Sequence, residues 1–136
     1  MSWWYKEEEL KEVPENYYGF VYLITDSETG MKYVGKKFFW NKKILPITKT
    51  RKRRKRTLVE SDWISYYGSS PHVRELIEDK GVETLTREIL HLCKTRGDCA
   101  YYETKEQFDR EVLLRDDYYN GIINCRISRS HLSANK

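Results

Sequence analysis

Phe20-Val21-Tyr22-Leu23-Ile24-Thr25, Asp26-Ser27-Glu28-Thr29-Gly30 and Met31-Lys32-Tyr33-Val34-Gly35 follow one another without a break. Two runs rich in β-branched and aromatic residues thus flank five residues of turn chemistry. The pattern predicts a β-hairpin with a five-residue loop. Gly30 can take positive φ in the turn, and Gly35 ends the second run where backbone can approach another group closely.

Outward from this hairpin the chain alternates between short elements. Leu85–Cys93 begins with alternating apolar and polar residues and predicts a third strand, with a helix as its rival. Ser70-Pro71 marks a helix start, with Ser70 as N-cap; Val73, Leu76 and Ile77 share one face, and Gly81 stops the helix. Asp98–Arg115 is the clearest helix, with Asp98 as cap and Tyr101, Phe108, Val112, Leu113 and Leu114 as its apolar side. Glu60–Tyr67 predicts a helical turn. Residues 1–17 form an acidic and aromatic N-terminal segment, in which Trp3–Pro14 reads as a short helix or an arm ended near Pro14. Residues 18–127 make one domain, and residues 128–136 a tail.

The chain has 136 residues, 34% charged and 14% aromatic, with a net charge of +4. That composition argues against a membrane protein and against a wholly disordered one. No apolar run approaches the ~18 residues of a membrane span, and the acidic start lacks the features of a signal peptide, so a soluble cytoplasmic protein is expected. Cys93, Cys99 and Cys125 have neither disulfide-framework nor zinc spacing and read as buried or idle thiols. Eleven basic residues and no acid lie between Lys36 and Arg56, while the rest of the chain has 14 basic and 21 acidic residues. Read as a basic insertion over residues 36–59, this tract repels itself and should be extended or disordered without a polyanion. A phosphate backbone would supply the counter-charge, which makes Lys42, Lys43, Lys49, Arg51, Lys52, Arg53, Arg54, Lys55 and Arg56 candidate nucleic-acid contacts. Of the aromatics bordering it, Phe38, Phe39, Trp40, Trp63, Tyr66 and Tyr67, most are expected in the core rather than stacked on bases.

Phe20-Val21-Tyr22, ten further residues and Tyr33-Val34-Gly35 resemble the two-part signature of the GIY-YIG nuclease family. Tyr67-Gly68-Ser69-Ser70, Gly81 and Thr86–Leu90 are similar to the middle of phage-type homing endonucleases in that family. Tyr101-Tyr102-Glu103 and Tyr118-Tyr119-Asn120 resemble its metal-binding Glu and following Asn. The resemblance implies an α+β fold, a small three-stranded antiparallel sheet flanked by helices. It also implies a metal-dependent DNA endonuclease, encoded by a phage or mobile element and homing-like or restriction-like in role. Tyr22 would contact or deprotonate the attacking water, and Tyr33 would hydrogen-bond in the same site. Glu103 would hold Mg²⁺ or Mn²⁺, and Asn120 would anchor the site wall. Glu106, one turn beyond Glu103, is the competing ligand. The family's Arg and His after the second triplet have no match here; Lys36 and Lys37 are the first candidates to bind the scissile phosphate, Arg51, Arg53 and Arg54 the second. His72 reads as an exposed residue beside a helix start. Double-stranded DNA is the expected partner, and a homodimer would serve double-strand cleavage. A non-catalytic nucleic-acid-binding protein, using the basic tract and aromatic stacking, is the alternative.

Overall fold

A computed structural model describes residues 2–136. In chain order it contains β1 (Trp3–Tyr5), β2 (Glu8–Leu10), β3 (Gly19–Asp26), β4 (Lys32–Phe38), β5 (Trp40–Leu45), β6 (Lys55–Glu60), α1 (Pro71–Lys80), β7 (Leu85–Cys93) and α2 (Arg96–Asp109). The 20–35 hairpin is β3–β4, paired antiparallel with Tyr22 opposite Gly35. Its turn is held by Asp26, whose carboxylate accepts from the Glu28 N–H at 3.0 Å and the Thr29 hydroxyl at 2.9 Å. Leu85–Cys93 is a strand as predicted and pairs antiparallel with β3.

The sheet is larger than expected. Its order is β2-β1-β7-β3-β4, five strands rather than three, and mixed rather than antiparallel. Three adjacent strands, β7, β3 and β4, are the expected antiparallel set. The other two come from residues 3–10, which are neither helix nor a detached arm: β1 pairs parallel with β7, Trp3 opposite Arg87. Trp3 anchors this pairing, buried in the core with its indole N–H donating to the Trp63 carbonyl at 2.6 Å.

Period-two alternation sends β3 side chains to two separate cores. Phe20, Tyr22 and Ile24 join Trp3, Phe39, Trp63 and, from α1, Val73. Val21 and Leu23 join Val34, Cys93 and Val112 on the opposite face, together with Cys99 from α2. Both faces of β3 are therefore covered, which explains its unbroken apolar run. Each large side chain so buried contributes on the order of 1.5–3 kcal/mol. Phe39 and Trp63 are core residues, as the burial reading of the aromatics expected.

Several local expectations are corrected. Lys36 and Lys37 belong to β4, not to the insertion. The rest of the basic tract is extended, one of its two expected alternatives, as an antiparallel ribbon, β5–β6, with Lys43 opposite Thr57 and residues 46–54 at its tip. Residues 63–65 form a single 3₁₀ turn, while Glu60 ends β6. Ser70 precedes α1 in extended conformation, but its side chain makes no capping bond. The second helix ends at Asp109, not Arg115, because Glu111 takes a positive φ of 53°. Its cap is Thr95, whose hydroxyl accepts from the Asp98 N–H at 3.0 Å. Its buried face holds Asp98, Cys99 and Gln107, whereas Tyr101, Phe108, Leu113 and Leu114 are exposed. Residues 129–135, within the expected tail, form two 3₁₀ turns. Ser133 donates to the buried Asp98 carboxylate, and Gly97 lies so close to the His131 carbonyl that a Cβ there would clash at 2.2 Å. No described helix is long and apolar enough to cross a membrane.

Candidate active site

The strand β4 is an edge of the sheet, and its exposed backbone would invite pairing with another chain. Residues 117–120 cover its first half. Lys32 donates to the Asp117 carbonyl at 2.9 Å, and its own carbonyl accepts from the Tyr119 N–H at 2.8 Å. The Asn120 side chain continues the cover, accepting from the Val34 N–H at 3.0 Å and donating to the Val34 carbonyl at 2.8 Å. Gln107 reaches the same carbonyl at 3.4 Å. The cover ends there, and a cleft of about 230 Å³ opens at the next residue, Gly35.

Gly35 is essential to that opening. A Cβ built on it would lie 2.4 Å from the Tyr22 hydroxyl oxygen. The phenol of the neighbouring strand occupies the space a side chain would fill, and so reaches the edge of the sheet. A register shift in the β3–β7 ladder falls between Val21 and Tyr22, beside this point. Tyr22 and Tyr33 face the same side, with ring centroids 6.3 Å apart. The Tyr33 hydroxyl lies 3.1 Å from the Ser69 hydroxyl.

Glu103 enters from α2 on the other side of the edge. Its carboxylate lies 3.1 Å from the Lys36 ammonium. Lys37 points to the opposite face, 2.7 Å from Asp62 and 4.0 Å from the Tyr66 ring centroid. Its ammonium holds the Asp62 carboxyl below the usual carboxylate range. Tyr22, Tyr33, Gly35, Lys36, Lys37 and Glu103 thus line one cleft.

Burial pushes the Tyr22 phenol well above its ordinary pKa, with Tyr66, Tyr33 and the negative charge of Glu103 acting in the same direction. Burial also raises Tyr33, and Glu103 adds to the rise, against the hydrogen bond to Ser69 and the charge of Lys36. In the free protein both are neutral phenols at neutral pH, able to donate a hydrogen bond to a water or phosphate oxygen and to accept one.

The other sequence candidates lie elsewhere. Asn120 stands behind the cleft wall rather than in it. Glu106 is bound to Arg110 and His91, each at 2.8 Å; burial works against its charge, but these two partners hold its carboxyl below the usual range. His72 is exposed beside the start of α1, as expected, and stacks on Tyr119 at 5.2 Å. Lys42, Lys43, Lys55 and Arg56 are on the ribbon; Lys49, Arg51, Lys52, Arg53 and Arg54 are at its tip. Asn41, Ser69 and Phe38 also line the cleft. Sequence reasoning gave Asn41 and Ser69 no role and read Phe38 only as one of the aromatics that would be buried or stacked on bases. Ser69 falls inside a quoted family segment, but Asn41 depends on the ribbon's position, for which the sequence offered no signal.

The donor set can take a hard divalent cation. Among the described residues no cluster of three or more His, Cys, Asp or Glu forms, so the protein supplies one carboxylate, Glu103. Mg²⁺ tolerates that, since it keeps several waters and takes further oxygens from substrate phosphate.

The family model described as "Putative endonuclease segE, GIY-YIG domain" matches residues 3–123. The chain belongs to the GIY-YIG nuclease family. No curated protein matches it, and neither does any solved structure. The GIY-YIG match begins at Trp3, the first residue of β1, so the strands formed by residues 3–10 lie within the matched domain.

Proposed function

We propose that this protein is a metal-dependent endonuclease that hydrolyses phosphodiester bonds in double-stranded DNA. One observation carries the reading: the Tyr22 phenol, the Tyr33 phenol and the Glu103 carboxylate line a single cleft at the one point where Gly35 opens the edge of the sheet.

Hydrolysis needs an oriented water, a stabilised pentavalent phosphorane and charge relief on the leaving oxygen. The Tyr22 hydroxyl is placed to hold the water. Tyr33, fixed through Ser69, hydrogen-bonds beside it. Lys36 sits on a flexible stem and can turn from Glu103 to a phosphate oxygen, while Lys37 is held by Asp62 close to the same cleft. Glu103 would hold the Mg²⁺ or Mn²⁺ ion, which when bound supplies Lewis-acid charge relief and a more acidic water. Water attack forms a new P–O bond as the bond to the leaving oxygen breaks; the neutral Tyr22 phenol orients the water by a hydrogen bond, the water's proton passes through a non-bridging phosphate oxygen to solvent, and the leaving oxygen takes one from solvent.

The basic ribbon supports a DNA substrate. The motif order supports a phage- or mobile-element-encoded enzyme of homing-like or restriction-like role, acting in the cytoplasm. One such site per chain cuts one strand at a time, so a double-strand break would need a homodimer or two successive nicks.

The test is relaxation of supercoiled plasmid with Mg²⁺, with Mn²⁺ and with EDTA. Wild-type protein is expected to nick only with metal. Glu103→Ala is expected to lose at least about 100-fold in rate while its affinity for duplex DNA, measured in EDTA, stays within about twofold. Undiminished nicking in EDTA or by Glu103→Ala would overturn the metal role, and binding without any nicking would favour the non-catalytic alternative.

A further inference from the structure

A second cleft, of about 600 Å³, lies between the ribbon and the start of α2. Lys42 lines it from β5, Lys94 from the turn before α2, Arg96 from the first position of α2, and Arg126, His131 and Lys136 from the C-terminal segment. These basic residues are far apart in sequence and only Lys42 belongs to the basic tract, so the cluster was invisible in the linear charge pattern. Among the described residues, none of Lys42, Lys94, Arg96 and Arg126 has a carboxylate within ion-pairing distance. Elsewhere on the body of the domain Lys32, Lys80, Lys105 and Arg115 each face one. The acid in the first turn of α2, Asp98, is buried and bound to Ser133. Four cations are thus held at one concave surface without internal neutralisation, at the positive end of a 14-residue helix.

The cleft is next to the candidate active site. Phe38 lines the first cleft, and the Arg96 guanidinium of the second lies 4.7 Å from the Phe38 ring centroid. Tyr18, also in the second cleft, has its ring 5.4 Å from that of Phe38. On the ribbon, successive residues divide between the two: Asn41 lines the first cleft and Lys42 the second. A single aromatic ring separates a site suited to one phosphate from a site suited to another.

We infer that the second cleft binds a backbone phosphate of the same DNA duplex, on one side of the scissile bond, and so fixes the strand's register in the first cleft. The inference rests on the nuclease reading. It adds a contact outside the basic ribbon, on the rigid body of the domain. A phosphate held there is a positioning contact that carries no base readout.

The test uses the full chain and two double variants. Lys94→Gln/Arg126→Gln removes two exposed cations of the cleft, leaving Arg96 to its stacking on Phe38. Lys80→Gln/Lys105→Gln removes the same charge from exposed sites that line neither cleft. Binding to one duplex is measured in EDTA from low to moderate salt. Each lost phosphate contact flattens the plot of log affinity against log salt by about 0.9, so the cleft variant is expected to lose about 1 of slope and the control variant none. In plasmid nicking the cleft variant is expected to raise KM several-fold with kcat unchanged. An unchanged slope in the cleft variant, or equal flattening in the control, overturns the inference while leaving the nuclease reading intact. Failure of the wild-type chain to bind or nick DNA overturns the nuclease reading, and this inference with it.

Discussion

In the active-site cleft Lys36 and Lys37 each face a carboxylate, at 3.1 and 2.7 Å, and both sit on a sheet covered on two sides. On the ribbon Lys43, Lys55 and Arg56 face none among the described residues, and β5 and β6 pair only with each other. The contrast separates two tasks that one basic segment appeared to combine. On the proposed reading, a phosphate must compete with the carboxylate that each cleft lysine already faces. Attraction to a polyanion gains most from charges with no internal partner, because every counterion they hold can be released. A two-stranded ribbon also has the dimensions to enter a DNA major groove.

The comparison breaks most easily at Tyr22. Tyr22→Phe keeps the ring and removes the hydroxyl, so nicking is expected to fall on the order of 100-fold or more with DNA affinity unchanged. The same variant tests the burial of the phenol. Because the folded pKa is raised, the native state keeps a proton that the unfolded chain releases above pH ~10. Stability present below that pH is therefore lost as pH rises further, and Tyr22→Phe should show a shallower alkaline fall in Tm. Equal alkaline profiles would show that Tyr22 is not the group responsible.

Gly35→Ala tests the opening itself. The new methyl would meet the Tyr22 hydroxyl, and a buried ring cannot move away cheaply. We expect a loss of about 1–3 kcal/mol in chemical denaturation and at least about a tenfold drop in nicking. Normal activity would mean that Tyr22 need not emerge beside Gly35.

Neutralising Arg51, Arg53, Arg54 and Arg56 to Gln sharpens the other side of the comparison. The salt slope of DNA binding should flatten by about 3 to 4 and the affinity fall across all sequences, with Tm unmoved. A fall in Tm would show that the tip is part of the domain's packing. Asn120→Ala is expected to do the reverse. It removes two bonds to Val34, at about 1 kcal/mol each, lowers stability by about 2 kcal/mol, and leaves the salt slope untouched.

What the sequence revealed follows the range of the interactions. The β3–β4 hairpin was legible because its strands, turn residues and closing glycine are contiguous. The helix α1 was legible from Pro71 and Gly81. Tyr22, Tyr33, Gly35 and Glu103 were found through a resemblance, which required the two phenols to share a face, as they do. The parallel pairing of β1 with β7 was not legible, because three residues near the start carry too little pattern to name a partner more than eighty positions away. The buried side of α2 was misread because Cys99 and Gln107, not the larger Tyr101 and Phe108, face the sheet. In Gln107 the amide's bond to Val34 matters more than its polarity. Asn41 was missed because its place depends on how the ribbon leaves β4.

The parallel strand has a consequence for how the molecule is made. Trp3 is synthesised before the strand it pairs with, which emerges only after the whole hairpin, ribbon and first helix have been made. Both phenols are likewise translated well before the carboxylate that joins them. A nascent chain therefore carries β1 without its parallel partner until β7 has been made, and the candidate centre stays incomplete until α2 has been made.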